Sequence, residues 1–179
     1  FAKALAQERQ VPLLPVNHME GHIISSIATR VGATSRISSV QFPILALLVS
    51  GGHTEFVLMK DWFEYEMLGR TLDDAVGEAF DKVARMLNLE YPGGPEISRM
   101  SKEARDAKYP RATPLPRPML HTDSCDVSFS GLKTAVLYAL RDMGGMHTLS
   151  HQQLAAFAAE FEDAVGEVLV AKARRALME

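Results

Sequence analysis

The chain has 179 residues, of which 47% are apolar and 23% charged, with a net charge of -3. This composition supplies enough apolar mass for a core and excludes disorder, and its near-neutral charge excludes a strongly basic nucleic-acid module. No apolar run reaches the roughly 18 residues of a membrane span, and the single cysteine, Cys125, excludes a disulfide framework or a cysteine-rich metal centre and suits a reducing cytoplasm. In chain order, residues 1–9 read as the end of a helix and Val11 to Val16 as a short buried strand between two prolines. Residues 18–31 read as a helix carrying His18, Glu20 and His22, and Gly32 to Ser39 as a loop. Ile44 to Val49 is a continuous apolar run, the pattern of a strand buried on both faces. Ser50-Gly51-Gly52-His53-Thr54 interrupts it and Glu55 to Met59 resumes it, so 44–59 reads as a hairpin with a glycine tip, followed by a third strand over Tyr65 to Leu68.

Residues 71–88 carry Leu72, Ala75, Val76, Ala79, Phe80, Val83 and Leu87 at helical spacing, with Thr71 and Asp74 placed as a helix-entry pair. Tyr91-Pro92-Gly93-Gly94-Pro95 reads as a tight turn, and Glu96 to Ala107 as a short helix. Residues 108–124 read as an ordered loop with four prolines, and Val127 to Phe129 as a strand. Ser130 reads as the cap of a helix from Gly131 to Met143, and residues 151–178 as a long amphipathic helix. The order of elements predicts a mixed α/β architecture. Neither end carries a helix start or stop signal and no targeting arm is visible, so the chain is expected to be an internal piece of a longer protein.

Several groups of residues can carry chemistry. His18 and His22 are four apart, which puts both imidazoles on one helix face, a spacing that suits a transition metal or simply a pair of surface histidines. Glu20 stands two positions after His18, not one, so the zinc-protease signature is not met. The Ser50–Thr54 segment can turn backbone N–H groups toward an anion, with Ser50 and Thr54 adding hydroxyls, or it can be a hairpin turn that needs glycine for positive φ. Asp74, Glu78 and Asp81 recur at helical spacing and can accept from ribose hydroxyls or hold a hydrated ion; the same row also reads as a solvated face. Gly77 amid these acids costs helix stability, which points to something packed or bound close to the backbone. Gly93-Gly94 can cradle a ligand or only join two helices. The Ser128-to-Lys133 segment sets a helix N-terminus where an anion can bind. Arg99, Lys102, Arg105, Lys108, Arg111 and Arg117 form a basic stretch that can contact RNA phosphates or line a solvated face. Trp62 and Phe63 read as packing residues rather than a stacking platform, and Cys125 as inert.

Six of these motifs stand in one order: His18-Met19-Glu20-Gly21-His22, Leu48 to Thr54, Leu72-Asp73-Asp74-Ala75, Gly77 to Lys82, Tyr91 to Pro95, and Phe129 to Thr134. In this the chain resembles the TsaD family of tRNA threonylcarbamoyladenosine transferases, once described as glycoproteases, and looks closer to the bacterial members. The resemblance runs over essentially the whole chain. It implies an ASKHA (actin-like) fold, with residues 1–40 ending the first lobe and 41–179 forming an incomplete second lobe. It implies that His18 and His22 are two ligands of one Fe2+ or Zn2+ ion, with an aspartate beyond Glu179 as the third. Leu48, Val49, Ser50, Gly51, Gly52, Asp81 and Gly94 match positions that bind threonylcarbamoyl-AMP. The implied reaction is attack of N6 of adenosine 37, in tRNAs reading codons that begin with A, on the carbamoyl carbon, with the ion as Lewis acid and AMP leaving. His53 and Glu20 are candidate bases, and the catalytic residue stays open. TsaB- and TsaE-type subunits are implied partners, the helix at 18–31 an implied contact surface, and the cytoplasm the implied location. The alternatives are an ASKHA phosphotransferase or ATPase, which a histidine pair disfavours, a non-catalytic pairing module, and proteolysis. Apolar surface is expected to stay exposed on the isolated piece.

Overall fold

The computed structural model describes residues 1–32, 34–37 and 39–179, which divide into two compact units, Phe1–Phe42 and Pro43–Glu179. In the first unit, α1 spans Ala2–Arg9 and α2 spans His18–Ser26. Two short antiparallel strands follow, β1 over Ala28–Val31 and β2 over Thr34–Ile37. Asn17 starts α2 by accepting the N–H groups of Met19 and Glu20 on its side-chain oxygen, at 3.0 and 3.4 Å. The helix expected to reach residue 31 stops at Ser26, and Ala28–Val31 pairs with β2 instead. The loop expected over Gly32 to Ser39 contains β2; residues 33 and 38 of it lie outside the described residues. Residues 11–16 form no strand. Pro12 and Pro15 lack N–H donors, and among the described residues no neighbouring strand pairs with them.

The second unit opens with a three-stranded antiparallel sheet in chain order: β3 over Ile44–Val49, β4 over Thr54–Asp61 and β5 over Glu64–Arg70. The expected hairpin is present, with Val49 opposite Thr54 and Ile44 opposite Met59. The strand buried on both faces is β4, however, where Phe56, Val57 and Met59 are buried. β3 lies at the sheet edge and leaves Leu47 and Val49 exposed. Trp62 and Phe63 occupy the tip of the tight β4–β5 turn, where Phe63 takes φ 64°, so both are exposed instead of packed.

Four helices complete the unit: α3 over Val76–Met86, α4 over Gly93–Asp106, α5 over Ser130–Asp142 and α6 over His151–Ala176. A 3-10 turn at Met146–Thr148 precedes α6. The core gathers Phe56 of the sheet, Val83 of α3, Ile97 and Met100 of α4, Phe129, Leu132 of α5, and Phe157, Phe161 and Val168 of α6. Phe80 meets Phe161 edge-on with ring centroids 5.0 Å apart. Ser150 and Gln153 close a reciprocal capping box at the head of α6.

The 108–124 loop is tied to α6 by buried charge. Glu160 accepts from the Leu115 N–H at 2.9 Å and pairs with Arg117, which also reaches Glu167 at 2.8 Å. Lys172, only 1% exposed, donates to the carbonyls of Thr122 and Ser124 and to the Thr122 hydroxyl at 2.6 to 2.9 Å. Burial pushes the Lys172 pKa down, and the three acceptors compensate the amine for its lost water. Among the described residues no helix is long and apolar enough to cross a membrane.

Candidate functional site

The glycine turn between β3 and β4 is built by its own first residue. The Ser50 N–H donates to the His53 carbonyl at 2.9 Å, and the Ser50 hydroxyl oxygen accepts the N–H groups of Gly52 and His53 at 3.3 and 3.0 Å. Thr54 is fully buried, and its Oγ1 accepts the Val76 N–H at 2.9 Å, which supplies the side-chain cap that Ala75 lacks at the head of α3. The two hydroxyls expected to face a ligand thus accept from the chain's own backbone. Neither Gly51 nor Gly52 has a positive φ, and a side chain on either would meet open space. Their lack of side chains is therefore not demanded by turn geometry or by packing, and it leaves the backbone of the turn approachable from outside.

Gly77 is explained by contact. Its N–H donates to the Ser50 carbonyl at 3.2 Å, and a Cβ there would stand 2.8 Å from the Gly51 Cα. What packs against it is the chain's own turn. One helical turn further on, Asp81 Oδ1 accepts the Gly93 N–H at 2.8 Å at the head of α4. Residues 77 and 81 share a face of α3 about 6 Å apart along the axis. Ser50 and Gly51 therefore meet the same face of α3 that carries Asp81 and, through it, Gly93. Leu48 is half-buried and Val49 exposed at the end of β3 leading into this turn. Gly94 lies in the first turn of α4 with open space beside it, so 91–95 is a helix entry and not a free turn.

The carboxylate row does not form as the spacing predicts. Asp74 precedes α3 and pairs with Lys82 at 2.7 Å and Lys133 at 3.3 Å; Glu78 also pairs with Lys82, and Asp81 turns to α4. Nor does Thr71 cap the helix: it bridges to Val127 as a strand residue, and its hydroxyl donates to the Asp74 carbonyl at 2.7 Å. The residue that the spacing did not single out is Asp73. Its Oδ1 accepts the N–H groups of Phe129 and Ser130 at 2.8 and 3.2 Å, and its Oδ2 accepts the Ser128 and Ser130 hydroxyls at 2.5 and 2.7 Å. Desolvation raises the Asp73 pKa, but these four donors outweigh it and hold the carboxyl at about 2, against an ordinary 3.8. The anion site expected at the head of α5 is thus filled by the chain's own carboxylate, and Asp73 performs the capping expected of Ser130. A separation of 55 to 57 residues hides this partnership from local spacing.

In the first unit, His18 and His22 bring their Nε2 atoms to 3.1 Å with ring centroids 4.4 Å apart. Two nitrogens about 2.0–2.1 Å from one tetrahedral ion stand about 3.3 Å apart, so the pair fits two ligands of one ion. Among the described residues no group of three His, Cys, Asp or Glu side chains gathers to complete such a site. Glu20 and His53, the candidate bases, are half-buried on α2 and exposed in the glycine turn respectively. Most of the basic stretch is neutralised within the fold. Arg99 pairs with Glu96, Lys102 with Asp106, Arg105 with Glu162 and Asp163, and Arg117 with Glu160 and Glu167. Cys125 is buried, and burial pushes its thiol pKa up, as suits an inert residue.

The arrangement is that of a mixed α/β protein in which an open glycine turn and the head of α4 meet along one face of α3. The chain belongs to the TsaD family: a family model described as tRNA N6-adenosine threonylcarbamoyltransferase matches residues 1–179. Among curated proteins of that name, the one from Neisseria gonorrhoeae is 43% identical over 182 residues, covering 100% of this chain and 48% of the relative. Those from Bordetella pertussis and Paraburkholderia xenovorans are 47% and 48% identical, each covering 98% of this chain and 48% of the relative. The chain thus spans about half the length of the relatives it matches.

Proposed function

We propose that this chain is part of an enzyme that moves the threonylcarbamoyl group from threonylcarbamoyl-AMP to N6 of adenosine 37 in tRNAs reading codons that begin with A. The observation that carries this reading is the meeting of the Ser50–Gly52 turn, Asp81 and the head of α4 on one face of α3, in a chain of this family. Gly51 and Gly52 let the phosphate of the mixed anhydride approach the backbone, beside the positive end of α3. Asp81 keeps one oxygen on Gly93 and offers Oδ2 to a ribose hydroxyl, while Gly94 leaves room for the nucleoside. The N6 amine attacks the carbamoyl carbon, the bond from that carbon to the phosphate oxygen breaks, AMP leaves with the electron pair, and N6 loses a proton. His18 and His22 would hold an Fe2+ or Zn2+ ion, its other ligands coming from elsewhere in the full-length protein. Such an ion supplies Lewis acidity toward the carbamoyl group.

The same reading takes the three antiparallel strands and the helices after them as the opening of the second lobe of an ASKHA fold, with residues 1–40 ending the first. It includes TsaB- and TsaE-type partners and a cytoplasmic location, where tRNA is modified. The test uses the full-length protein with threonylcarbamoyl-AMP, the two partner subunits and unmodified tRNA, followed by nucleoside mass spectrometry. The expected result is threonylcarbamoyladenosine that vanishes in Asp81→Ala, and loss of bound metal in His18→Ala. ATP hydrolysis or phosphoryl transfer without modified nucleoside would overturn the reading in favour of a phosphotransferase, and normal metal content in His18→Ala would remove the ligand assignment.

A further inference from the structure

The segment between β5 and α3 is held from outside its own hairpin. Asp73 gathers four donors from Ser128, Phe129 and Ser130, and Asp74 beside it joins Lys82 of α3 to Lys133 of α5. The backbone adds a ladder: the Leu72 N–H donates to the Val127 carbonyl at 2.9 Å and the Val127 N–H to the Arg70 carbonyl at 3.0 Å. Three residues after Asp73, the head of α3 begins, and its first two N–H groups are spent on Thr54 and on the Ser50 carbonyl. The short backbone segment from Asp73 to Gly77 is thus tied by hydrogen bonds at both ends, to the head of α5 through Asp73 and to the glycine turn through Val76 and Gly77. Capping α5 alone would need one or two acceptor positions from an adjacent residue. Here the cap comes from a distant segment whose next residues meet the turn through Val76 and Gly77, so the placement of the two helix heads is coupled.

We propose that Asp73 is a positioning residue for the anhydride substrate: it fixes the head of α3 against the Ser50–Gly52 turn and so sets the backbone geometry that receives the phosphate. This rests on the proposed function for the identity of the ligand, and not for the coupling itself. Asp73→Asn keeps the size of the side chain but trades the Oδ2 acceptor of two hydroxyls for a donor. In the full-length protein the expected result is a KM for threonylcarbamoyl-AMP raised about tenfold and a KM for tRNA little changed, alongside a melting temperature lowered at neutral pH by the loss of the carboxylate. Amide hydrogen exchange at Gly51, Gly52 and His53 is expected to speed up in the same variant. Ser128→Ala, which removes one of the four donors, is expected to move both readouts the same way by less, and it serves if Asp73→Asn does not fold. A lowered melting temperature with unchanged KM and unchanged exchange in the turn would overturn the proposal and leave Asp73 as a helix cap. If the wild type transfers nothing, the transfer reading falls; accelerated exchange in the turn of the variant would still support the positioning role, and unaltered exchange would end it.

Discussion

At the scale of single residues, the side chains that organise this chain are polar ones whose partners lie far away in sequence. Asp73 is the strongest case, and its depressed pKa makes it a source of pH-dependent stability. A carboxyl whose folded-state pKa lies below its unfolded value stabilises the fold fully above the unfolded pKa, and the contribution fades as pH falls through the folded pKa. The stability gap between wild type and Asp73→Asn is therefore expected to be constant above about pH 4 and to shrink as pH falls toward 2. Denaturant titrations of both proteins at several pH values measure this directly, and a gap that does not narrow in acid would show that the carboxylate charge contributes nothing. Asp73 stood in a recognised motif, but nothing in its spacing told it apart from Asp74. Its role comes from Ser128 and Ser130, which only the folded chain brings near. The histidine pair was legible for the opposite reason, because a four-residue spacing on a helix fixes two side chains on one face without any tertiary information.

At the scale of elements, periodicity found the β3–β4 hairpin and all four helices of the second unit, because each has a strong apolar pattern and packs through it. It erred where pairing decides the outcome. Val11 to Val16 has strand composition but, among the described residues, no strand pairs with it, and residues 28–31 have helical continuity but pair with β2. The head of α3 shifted from Thr71 to Ala75 because a buried threonine on another strand, Thr54, supplies the cap. The cost of a glycine inside α3 signals the close approach that Gly77 makes. Since the atoms a Cβ would strike are backbone atoms of Ser50 and Gly51, at 2.8 to 2.9 Å, they can yield only by moving the turn. Gly77→Ala is expected to destabilise the fold by about 1–3 kcal/mol despite the better helix propensity of alanine, as overpacked sites do. Chemical denaturation of the full-length variant checks this, and a stabilised variant would mean that the turn does not rest on α3.

At the scale of the whole molecule, the two units differ in how well they cover their apolar side chains. The second buries a continuous core, whereas the first leaves Phe1, Leu5, Val11, Leu13, Leu14, Val16 and Ile37 exposed and, among the described residues, buries only Ile23 of its large apolar side chains. Apolar surface of that kind favours association. The 179-residue chain on its own is expected to bind a hydrophobic dye and to self-associate, which light scattering would register. A monodisperse monomer without dye binding would show that this surface is covered in solution. The second unit also contains its own gauge of integrity. Amine-reactive reagents should label the solvated lysines such as Lys60 and Lys102 quickly in the native protein. Lys172 is sealed beneath the 122–124 loop and can react only when that loop parts from α6. Its labelling rate counts those openings one lysine at a time, and a substitution that slackens the loop's hold on α6 would be seen in that rate before any change in overall melting.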